Sequence, residues 1–385
     1  MKLVVQVKLL PTPEQASALE ATLRACNRAA NFTSQVAFEK NLTERNALQR
    51  EVYIDVKATF GLSAQPTVRV VKKVVDAYAA LRASLQARNL GEPTSQRYRK
   101  AAASPIGFRP GAAQPFDDRC LSWQMDARTV SIWTVDGRMK NIRFVGAADQ
   151  LKVLAEQRRG ESDLVQRGSK WFLIATCEIP EPEVFEPVGF IGVDRGIVNL
   201  ATTSDGVNYQ GRRLGRYRRW QARKRAELQA KGTRSAKRRL ALRARREQCH
   251  ATQVNHTISK EIVAVAQRTG RGIAVEQLGG IRDRVRLRRD QRATLSSWPF
   301  NQLGQHLAYK AKRAGVPFVE VDAAYTSQRC PRCGHTGRAN RPTRDHFACR
   351  RCGLAGPADV VAGVNVRDRA RSAWVFVTAP APSPA

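Results

Sequence analysis

Hydrophobic and polar residues alternate imperfectly over the first ten positions of the chain. Residues 2–10, KLVVQVKLL, follow the period of two that is typical of a strand. Thr12 and Gln15 then form the pattern of a capping box, which predicts that a helix begins there. Apolar residues follow at helical spacing: Ala16, Leu19, Leu23, Cys26 and Ala30. These patterns predict a strand and then helices that continue to about residue 90, with breaks near Gly61 and Pro66.

A second alternating region follows a segment from Gly91 onward that is rich in proline, glycine and serine, as a linker or long loop would be. The run TVSIWTVDGRMKNIRFV contains two strand patterns joined by Asp136-Gly137, which is a strong hairpin signal. KWFLIATCEI adds a further strand. We therefore predict a β-barrel domain formed by residues 1–10 and 91–185, interrupted by a helical domain at residues 11–90.

Strands and helices alternate in the second half of the chain. FIGVDRGIVNLATTSDG predicts a strand ending at Asp194, a second strand, and a turn at Asp205-Gly206. GIAVEQLGG predicts a short apolar strand with Glu276 near its end and a glycine turn after it. FNQLGQHLAYKAKRAGVPFVEVD predicts an amphipathic helix followed by another strand. This alternation between residues 186 and 322 indicates an α/β domain, so the whole chain is multidomain α+β.

The net charge of the chain indicates what kind of molecule the protein binds. The 385 residues include 66 Lys and Arg against 33 Asp and Glu, a net charge of +33, while the hydrophobic content of 42% is ordinary for a globular protein. Such an excess favours a polyanion, usually nucleic acid, over its main rival, an anionic membrane surface. The sequence has no apolar run of about 18 residues and no signal-peptide core at the N-terminus. We expect a soluble cytoplasmic protein without membrane contact.

The positive charge is most concentrated between residues 212 and 247, which hold sixteen Lys or Arg against two Glu. A merely solvated helix would normally intersperse both signs, so we favour a helix or helical hairpin that lies along phosphates. Two aromatic residues within it could stack on bases or sugars. The candidate nucleic-acid-binding residues are Arg212, Arg213, Arg216, Tyr217, Arg218, Arg219, Trp220, Arg223, Lys224 and Arg225.

The cysteines divide into four scattered residues and one cluster. Cys26, Cys120, Cys177 and Cys249 stand singly, as in a protein from a reducing compartment. The other four form C-x2-C-x15-C-x2-C, a spacing typical of a zinc ribbon, rather than unliganded or disulfide-bonded cysteines: Cys330, Cys333, Cys349 and Cys352. Four thiolates would hold one Zn²⁺ in a closed, structural site, and His335 and His346 nearby would not be needed.

Three acidic residues are placed where a sheet would present them to a ligand. Asp194 and Glu276 follow the apolar runs FIGV and GIAV, and Asp359 stands directly before VVAGVNV. Carboxylates at the carboxyl ends of strands lie where α/β folds bind ligands. If the three converge, they could hold two Mg²⁺ ions about 4 Å apart for phosphodiester hydrolysis. Other acids are possible substitutes or supporting residues: Glu320, Asp322 and Asp368.

The order of these features resembles the TnpB family of transposon-encoded RNA-guided nucleases, from which the compact type V CRISPR effectors look descended. The matching stretches span nearly the whole chain: LPTPEQ, LSWQM, VSIWTVDGR, IGVDRGIVNLATTSDG, GIAVEQL, YKAKRAGVPFVEVD, YTSQRCPRCG and FACRRCG. Their order is more specific than any one of them.

The resemblance implies a helical recognition domain inserted in a β-barrel wedge domain, followed by an RNase H-like (RuvC) nuclease domain with a zinc ribbon inserted in it. It implies catalytic roles for Asp194, Glu276 and Asp359, and a positive group at Arg344 near the scissile phosphate. The implied boundaries are residues 186–329 and 353–370 for the nuclease, 330–352 for the zinc ribbon and 371–385 for a flexible tail.

One motif departs from the family pattern. The third nuclease motif usually reads close to D-R-D-x-N-A-A-x-N, whereas this chain has PADVVAGVN, with Ala358 in place of arginine and Val361 in place of the first asparagine. Asp359 and Asn365 align.

We expect an RNA-guided DNA endonuclease that binds a guide RNA and target double-stranded DNA. The alternatives are a guide-dependent DNA-binding repressor with little cleavage, or an unguided nuclease or transposase.

Overall fold

The computed structural model describes residues 1–278 and 300–378. The chain divides into two units, Met1–Pro180 and Glu181–Ala385. The predicted boundary at residue 186 thus lies a few residues too late. Across the described part of the chain, no helix has both the length and the apolar character that a membrane span requires.

The first unit contains an antiparallel sheet of seven strands in the order β2-β6-β7-β1-β5-β4-β3. The first strand lies in its middle, paired with β7 on one side and β5 on the other, which confirms that residues 2–10 join the later strands. The hairpin predicted at Asp136-Gly137 is also confirmed, since Thr134 pairs with Gly137. The strands are β1 Lys2–Leu10, β2 Gln114–Phe116, β3 Leu121–Gln124, β4 Thr129–Thr134, β5 Gly137–Val145, β6 Arg158–Arg167 and β7 Lys170–Glu178.

Helices of the first unit pack on this sheet and on one another. The capping box predicted at Thr12 and Gln15 is present, and Gly61 ends the second helix in the left-handed conformation. Leu19 and Leu23 are buried in the core of the sheet, whereas the next turns of the same helix lie in a separate helical core. The helices are α1 Pro13–Glu39, α2 Arg45–Phe60, α3 Ala64–Gln86, α4 Gln96–Ala102 and α5 Ala148–Gln157.

The sequence pattern missed two of these helices. The segment predicted as linker or long loop from Gly91 contains α4 and also strand β2. Ser95 caps α4 by accepting a hydrogen bond from the Tyr98 amide, a local signal that the proline and glycine content masked. Helix α5 lies inside the predicted β-rich region and buries one residue, Leu154, against the sheet.

The second unit is built on a mixed sheet of five strands in the order β10-β9-β8-β11-β12. Strands β8, β11 and β12 are parallel, whereas β9 and β10 run antiparallel to their neighbours. The strands are β8 Phe190–Asp194, β9 Asn199–Thr203, β10 Asn208–Gln210, β11 Gly272–Gln277 and β12 Phe318–Asp322. This agrees with the predicted α/β domain. The glycine turn predicted after β11 begins at Gly279, outside the described residues.

Helices cover both faces of this sheet. Ile262 and Leu307, from two helices, pack with Ile191 on one face, and Val366 packs with Phe190 on the other. The helices are α6 Arg212–Lys231, α7 Arg234–Arg268, α8 Phe300–Arg313 and α9 Ala358–Thr378. Helices α6 and α7 form the hairpin that the basic segment predicted, turning at Gly232 in the left-handed conformation.

The prediction of a flexible tail from residue 371 is wrong up to residue 378, because α9 continues to Thr378. Contacts of Trp374 explain why the helix continues. Its ring lies 5.9 Å from that of Phe190, and its indole nitrogen donates a 2.8 Å hydrogen bond to Glu186. This contact fixes the last turns of the helix on the sheet. Residues 379–385 lie outside the described part of the chain.

A small ribbon precedes α9. It contains a short 3-10 helix, Arg338–Asn340, and the antiparallel strands β13 His346–Ala348 and β14 Ala355–Pro357. The predicted zinc ribbon ended at residue 352, but β14 pairs with β13 and extends the ribbon to the first residue of α9.

Candidate active site

Asp194 and Glu276 lie side by side at one edge of the five-stranded sheet. Strands β8 and β11 are parallel neighbours with Val193 opposite Val275, so the next residue of each strand is one of the two acids. The chain leaves β8 towards β9 on one side, while β11 lies on the other. Carboxyl ends of strands at such a reversal of strand order form the usual ligand crevice of an open α/β sheet.

Asp359 reaches the same edge because α9 packs unusually close to β8. A side chain on Gly192 would collide with the carbonyl oxygen of Gly363, and one on Gly363 would press on the backbone of Thr203 and Ser204. Glycine at both positions therefore allows the backbone of α9 to approach the backbone of β8 and of the end of β9. Asp359, in the first turn of the helix, is placed by this contact.

The three acids act on one another electrostatically. Burial raises the pKa of Asp194 well above its usual range, and the charges of Glu276 and Asp359 raise it further. Burial also raises the pKa of Glu276, against the opposing effect of a hydrogen bond from Thr326 and nearby arginines. Like charges that share a poorly solvated space favour a cation among them. The donor set, carboxylate oxygens only, fits a hard divalent ion such as Mg²⁺.

Arg341 of the ribbon, rather than Arg344, supplies a positive charge to this cluster. Its guanidinium donates to Asp359 Oδ1 at 2.9 Å, and the other carboxylate oxygen accepts a 2.8 Å hydrogen bond from Asn199. Both side chains of the ion pair are largely buried, with 25% and 15% exposed. The guanidinium of Arg344 is half exposed and lies 3.8 Å from Asp345. The predicted role of Arg344 stays a prediction, and the sequence analysis missed Arg341.

Two further groups that the sequence analysis did not single out hold Glu276. Arg195 is 7% exposed and donates from its guanidinium to the backbone carbonyl of Glu276, while the hydroxyl of Thr326 donates to its carboxylate. Arg195 crosses helix α8 at Gly304, where any side chain would collide with the guanidinium. In the sequence, the position of Arg195 directly after Asp194 could have marked it as a residue of the site.

The substitute acids named above serve other contacts. Asp322 accepts a 3.0 Å hydrogen bond from the Ala324 amide, and Asp368 pairs with Arg367 at 2.9 Å. Glu320 is exposed on strand β12. The arrangement therefore singles out Asp194, Glu276 and Asp359 as one group.

The four ribbon cysteines come together as their spacing predicted. Cys330 Sγ lies 3.5 Å from Cys352 Sγ, and Cys333 Sγ lies 3.5 Å from Cys349 Sγ. A disulfide would need about 2.05 Å, whereas four thiolates around zinc at about 2.3 Å stand about 3.8 Å apart. In the part of the chain the structure describes, this is the one group of three or more candidate ligands whose atoms all lie within 4.8 Å. The cluster could bind zinc, and the three carboxylates are spread more widely.

The ribbon and the start of α9 share one small core. Ala358 and Val361 are buried with Cys330, Phe347 and Cys349. Both are positions at which the third motif departs from the family pattern, and their apolar side chains serve packing against the ribbon. Asn365, which follows the pattern, is buried and donates to the carbonyls of Thr326 and Arg329, each at 2.7 Å.

The basic hairpin presents a second surface in the same unit. Six of the predicted arginines are exposed on α6: Arg212, Arg213, Arg216, Arg219, Arg223 and Arg225. A groove of about 900 Å³ runs between this helix and the turn at Ile197 and Val198. Lys224 and Arg225 are paired with Glu227 and Glu247, respectively.

The two aromatic residues of the hairpin differ in accessibility. Tyr217 packs 4.6 Å from the His250 ring and accepts a 2.7 Å hydrogen bond from Gln221, so it helps to join α6 to α7. Trp220 is 42% exposed, with the guanidinium of Arg243 4.5 Å from its ring. Of the two predicted stacking residues, Trp220 is the more accessible.

A mixed sheet with buried acids at its edge, a four-cysteine ribbon and a basic hairpin are together the features that the sequence resemblance led us to expect. Comparison with known proteins agrees. Residues 175–279 match the family described as "Probable transposase" (OrfB_IS605), and residues 300–366 match "Cas12f1-like, TNB domain".

Individual relatives agree as well. The chain is 39% identical over 113 residues to the CRISPR-associated endodeoxyribonuclease Cas12f1 of Sulfoacidibacillus thermotolerans, covering 29% of this chain and 25% of that one. It is 27% identical to the putative RNA-guided DNA endonuclease InsQ of Escherichia coli K12, covering 52% and 54%, respectively. It is 24% identical to the TnpB-like protein MJ0751 of Methanocaldococcus jannaschii, covering 66% and 96%. The predicted resemblance to TnpB proteins and Cas12f1 effectors is confirmed, although the chain spans only a quarter of the first relative.

Replacing Cys330 with serine should remove bound zinc and lower the yield of folded protein, because a four-thiolate site can contribute on the order of 10 kcal/mol to folding. Zinc content by atomic absorption and the thermal unfolding midpoint measure both effects. Cys249→Ser, at an exposed position in α7, is the matched control and should change neither. A Cys330 variant with a full zinc equivalent and normal stability would disprove the assignment.

Replacing Arg341 with glutamine should lower the free energy of unfolding in metal-free buffer by about 1–3 kcal/mol, because Asp359 loses its charged partner. Added Mg²⁺ should restore more stability to this variant than to the wild type. The matched control is Arg344→Gln, which should stay within about 0.5 kcal/mol of the wild type. Urea unfolding with and without Mg²⁺ measures both, and equal effects of the two substitutions would contradict the assignment.

Proposed function

We propose that the protein is an RNA-guided DNA endonuclease that cuts phosphodiester bonds with divalent metal ions. The observation that carries the proposal is the grouping of Asp194, Glu276 and Asp359 at the carboxyl edge of the mixed sheet. Relatives named as RNA-guided or CRISPR-associated DNA endonucleases support it. So does the net charge of +33, which suits nucleic acid as both guide and target.

The chemistry follows from the acids and their neighbours. When bound, two Mg²⁺ ions would supply Lewis-acid stabilisation of the charge that develops on the reacting oxygens. Asp194, Glu276 and Asp359 would hold them, and the wider spread of these carboxylates suits two ions better than one. Thr326 and Arg195 fix Glu276, and Asn199 fixes Asp359. In this proposal the nuclease domain is RNase H-like and the ribbon holds one structural Zn²⁺.

Arg341 has two roles in this proposal. Without divalent ions its guanidinium neutralises Asp359 and lowers the pKa values of Asp194 and Glu276. In its second role, the same guanidinium would donate to a nonbridging oxygen of the scissile phosphate. The sequence resemblance assigned this phosphate-binding role to Arg344, three residues later in the ribbon.

The basic hairpin would bind the nucleic acid backbone. Four of its exposed arginines line one side of the groove beside α6, a shape that suits a phosphate chain: Arg212, Arg216, Arg219 and Arg225. Contacts to phosphates are independent of sequence, so base pairing between guide RNA and target DNA would supply most of the specificity. The protein itself would read only a short motif beside the target.

A second candidate is a guide-dependent DNA-binding repressor with little cleavage. The observation that favours it is the apolar character of Ala358 and Val361, which leaves Asp359 without the polar neighbours of the family motif. Arg341 and Asn199 offer replacement contacts from other elements. For this reason we place the endonuclease first.

Replacing Asp194, Glu276 or Asp359 singly with alanine should reduce Mg²⁺-dependent cutting of target DNA by orders of magnitude, because each acid holds the metals. Binding of the co-purified RNA and of target DNA should persist, since arginines supply that energy. Asp368→Ala, paired with Arg367, is the control and should cut normally. Cutting and binding are to be measured on the same preparations. A wild-type protein that binds its target without cutting would support the repressor.

Replacing Arg212, Arg213 and Arg216 together with glutamine should weaken DNA binding and flatten its salt dependence. Each lost phosphate contact removes about 0.9 from the slope of log affinity against log salt, so the triple variant should lose up to about 2.7. The control replaces three other exposed cations of the same unit: Lys260, Arg268 and Arg313. Fluorescence anisotropy from 50 to 300 mM salt gives the slopes. Equal slopes for both triple variants would show that these arginines make no special contact with phosphates and that α6 is an ordinary solvated helix.

A further inference from the structure

Tyr325 lies in the loop after β12, one residue before Thr326, and its conformation is unusual. Its backbone adopts the left-handed conformation with φ of 60°, which is uncommon for any residue except glycine, asparagine and aspartate. Its side chain is 64% exposed, so the ring is not buried in any core of the unit. Neither backbone preference nor hydrophobic burial explains an aromatic residue at this position. Strained backbone that persists in this way is often found at functional sites.

Surrounding contacts impose this backbone conformation. The carbonyl of Tyr325 accepts hydrogen bonds from the amides of Gln328 and Arg329, both at 3.0 Å. From helix α9, Asn365 donates to the carbonyls of Thr326 and Arg329 at 2.7 Å, and Arg369 donates to the carbonyl of Ala324 at 2.6 Å. Residues of helix α9 therefore help to hold the loop in this conformation. Its polar backbone groups face inward, and the tyrosine ring is left in solvent.

The loop also contacts the acid cluster directly. Thr326, the residue after Tyr325, is 3% exposed and donates its hydroxyl to the carboxylate of Glu276. The same hydroxyl lies 3.1 Å from the carbonyl of Ala323. The exposed ring is thus one residue away from a group that touches a metal-binding acid.

We propose that Tyr325 stacks on a base of the single strand being cut, and so positions the scissile phosphate over the three acids. This inference rests on the proposed nuclease function. An exposed aromatic ring offers a face that every base can stack on, so the contact tolerates any sequence, as a guided nuclease requires. Tyr325 is a positioning residue here, because its ring need not touch the reacting atoms. Fixing its backbone lowers the entropy lost on stacking.

The test compares three proteins with their co-purified RNA: the unmodified chain, Tyr325→Asn and Tyr325→Phe. Asparagine tolerates the left-handed conformation and removes the ring, whereas phenylalanine keeps the ring. Thermal unfolding should show that Tyr325→Asn is at least as stable as the wild type. In target cleavage with Mg²⁺, Tyr325→Asn should raise KM by about 5- to 100-fold, while Tyr325→Phe stays within about twofold.

A second measurement detects stacking without cleavage. Each protein also carries Asp194→Ala, and the probe is a series of 12-nucleotide single-stranded DNAs with 2-aminopurine at successive positions. Stacking quenches 2-aminopurine fluorescence. We expect quenching at one or two positions with Tyr325 or phenylalanine, and recovery with asparagine. Absence of quenching at every position, or equal quenching in the asparagine variant, would overturn the inference.

The two measurements separate this inference from the function it rests on. If the wild type cuts its target and Tyr325→Asn cuts with the same KM, the stacking role is wrong and the nuclease stands. If tyrosine-dependent quenching is seen but the wild type never cuts with Mg²⁺, the nuclease function is wrong and the protein holds a single strand without cleaving it.

Discussion

Keeping three carboxylates together in a poorly solvated space is the constraint on which this unit depends. Burial already disfavours the charged forms of Asp194 and Glu276, and the charge of Asp359 adds to the cost. The chain offsets it with guanidinium groups drawn from separate elements, Arg195 beside β8 and Arg341 in the ribbon. Like charges held together at a cost in folding energy would be relieved by a bound divalent cation, which agrees with the proposed metal site.

The ribbon contributes a positive charge, Arg341, to this cluster of acids, and it helps to position Asp359. Its core merges with the first turn of α9 through Ala358 and Val361, so the orientation of Asp359 depends on the ribbon being folded. It also carries Arg341 to the opposite side of the same carboxylate. A guanidinium that the family motif places directly before the acid is here supplied from the ribbon, and the local departure at Ala358 therefore does not leave Asp359 unpartnered.

Close backbone approach is the second device that makes the site possible. Because Gly192 in β8 and Gly363 in α9 have no side chains, the helix can pack closely on the strand that ends at Asp194 and on the end of β9. Further along the helix, Asn365 and Arg369 hold the loop that contains Tyr325 and Thr326. Helix α9 thus fixes the position of Asp359 and its distance from the sheet. It also holds the loop that contacts Glu276.

The sequence by itself determined the strands and helices with clear periodicity, the four-cysteine cluster, and the three acids, because each is marked by local spacing or by its position at the end of an apolar run. The tertiary structure decided what depends on contacts between distant residues. Asp359 and its partner Asn199 are 160 residues apart, and no local pattern marks that pair. The contact of Arg341 with Asp359, the packing of Tyr217 on His250, and the extension of α9 to Trp374 likewise depend on which surfaces meet. Periodicity records which face of an element is buried, whereas the partner of a polar side chain is fixed only when the elements pack.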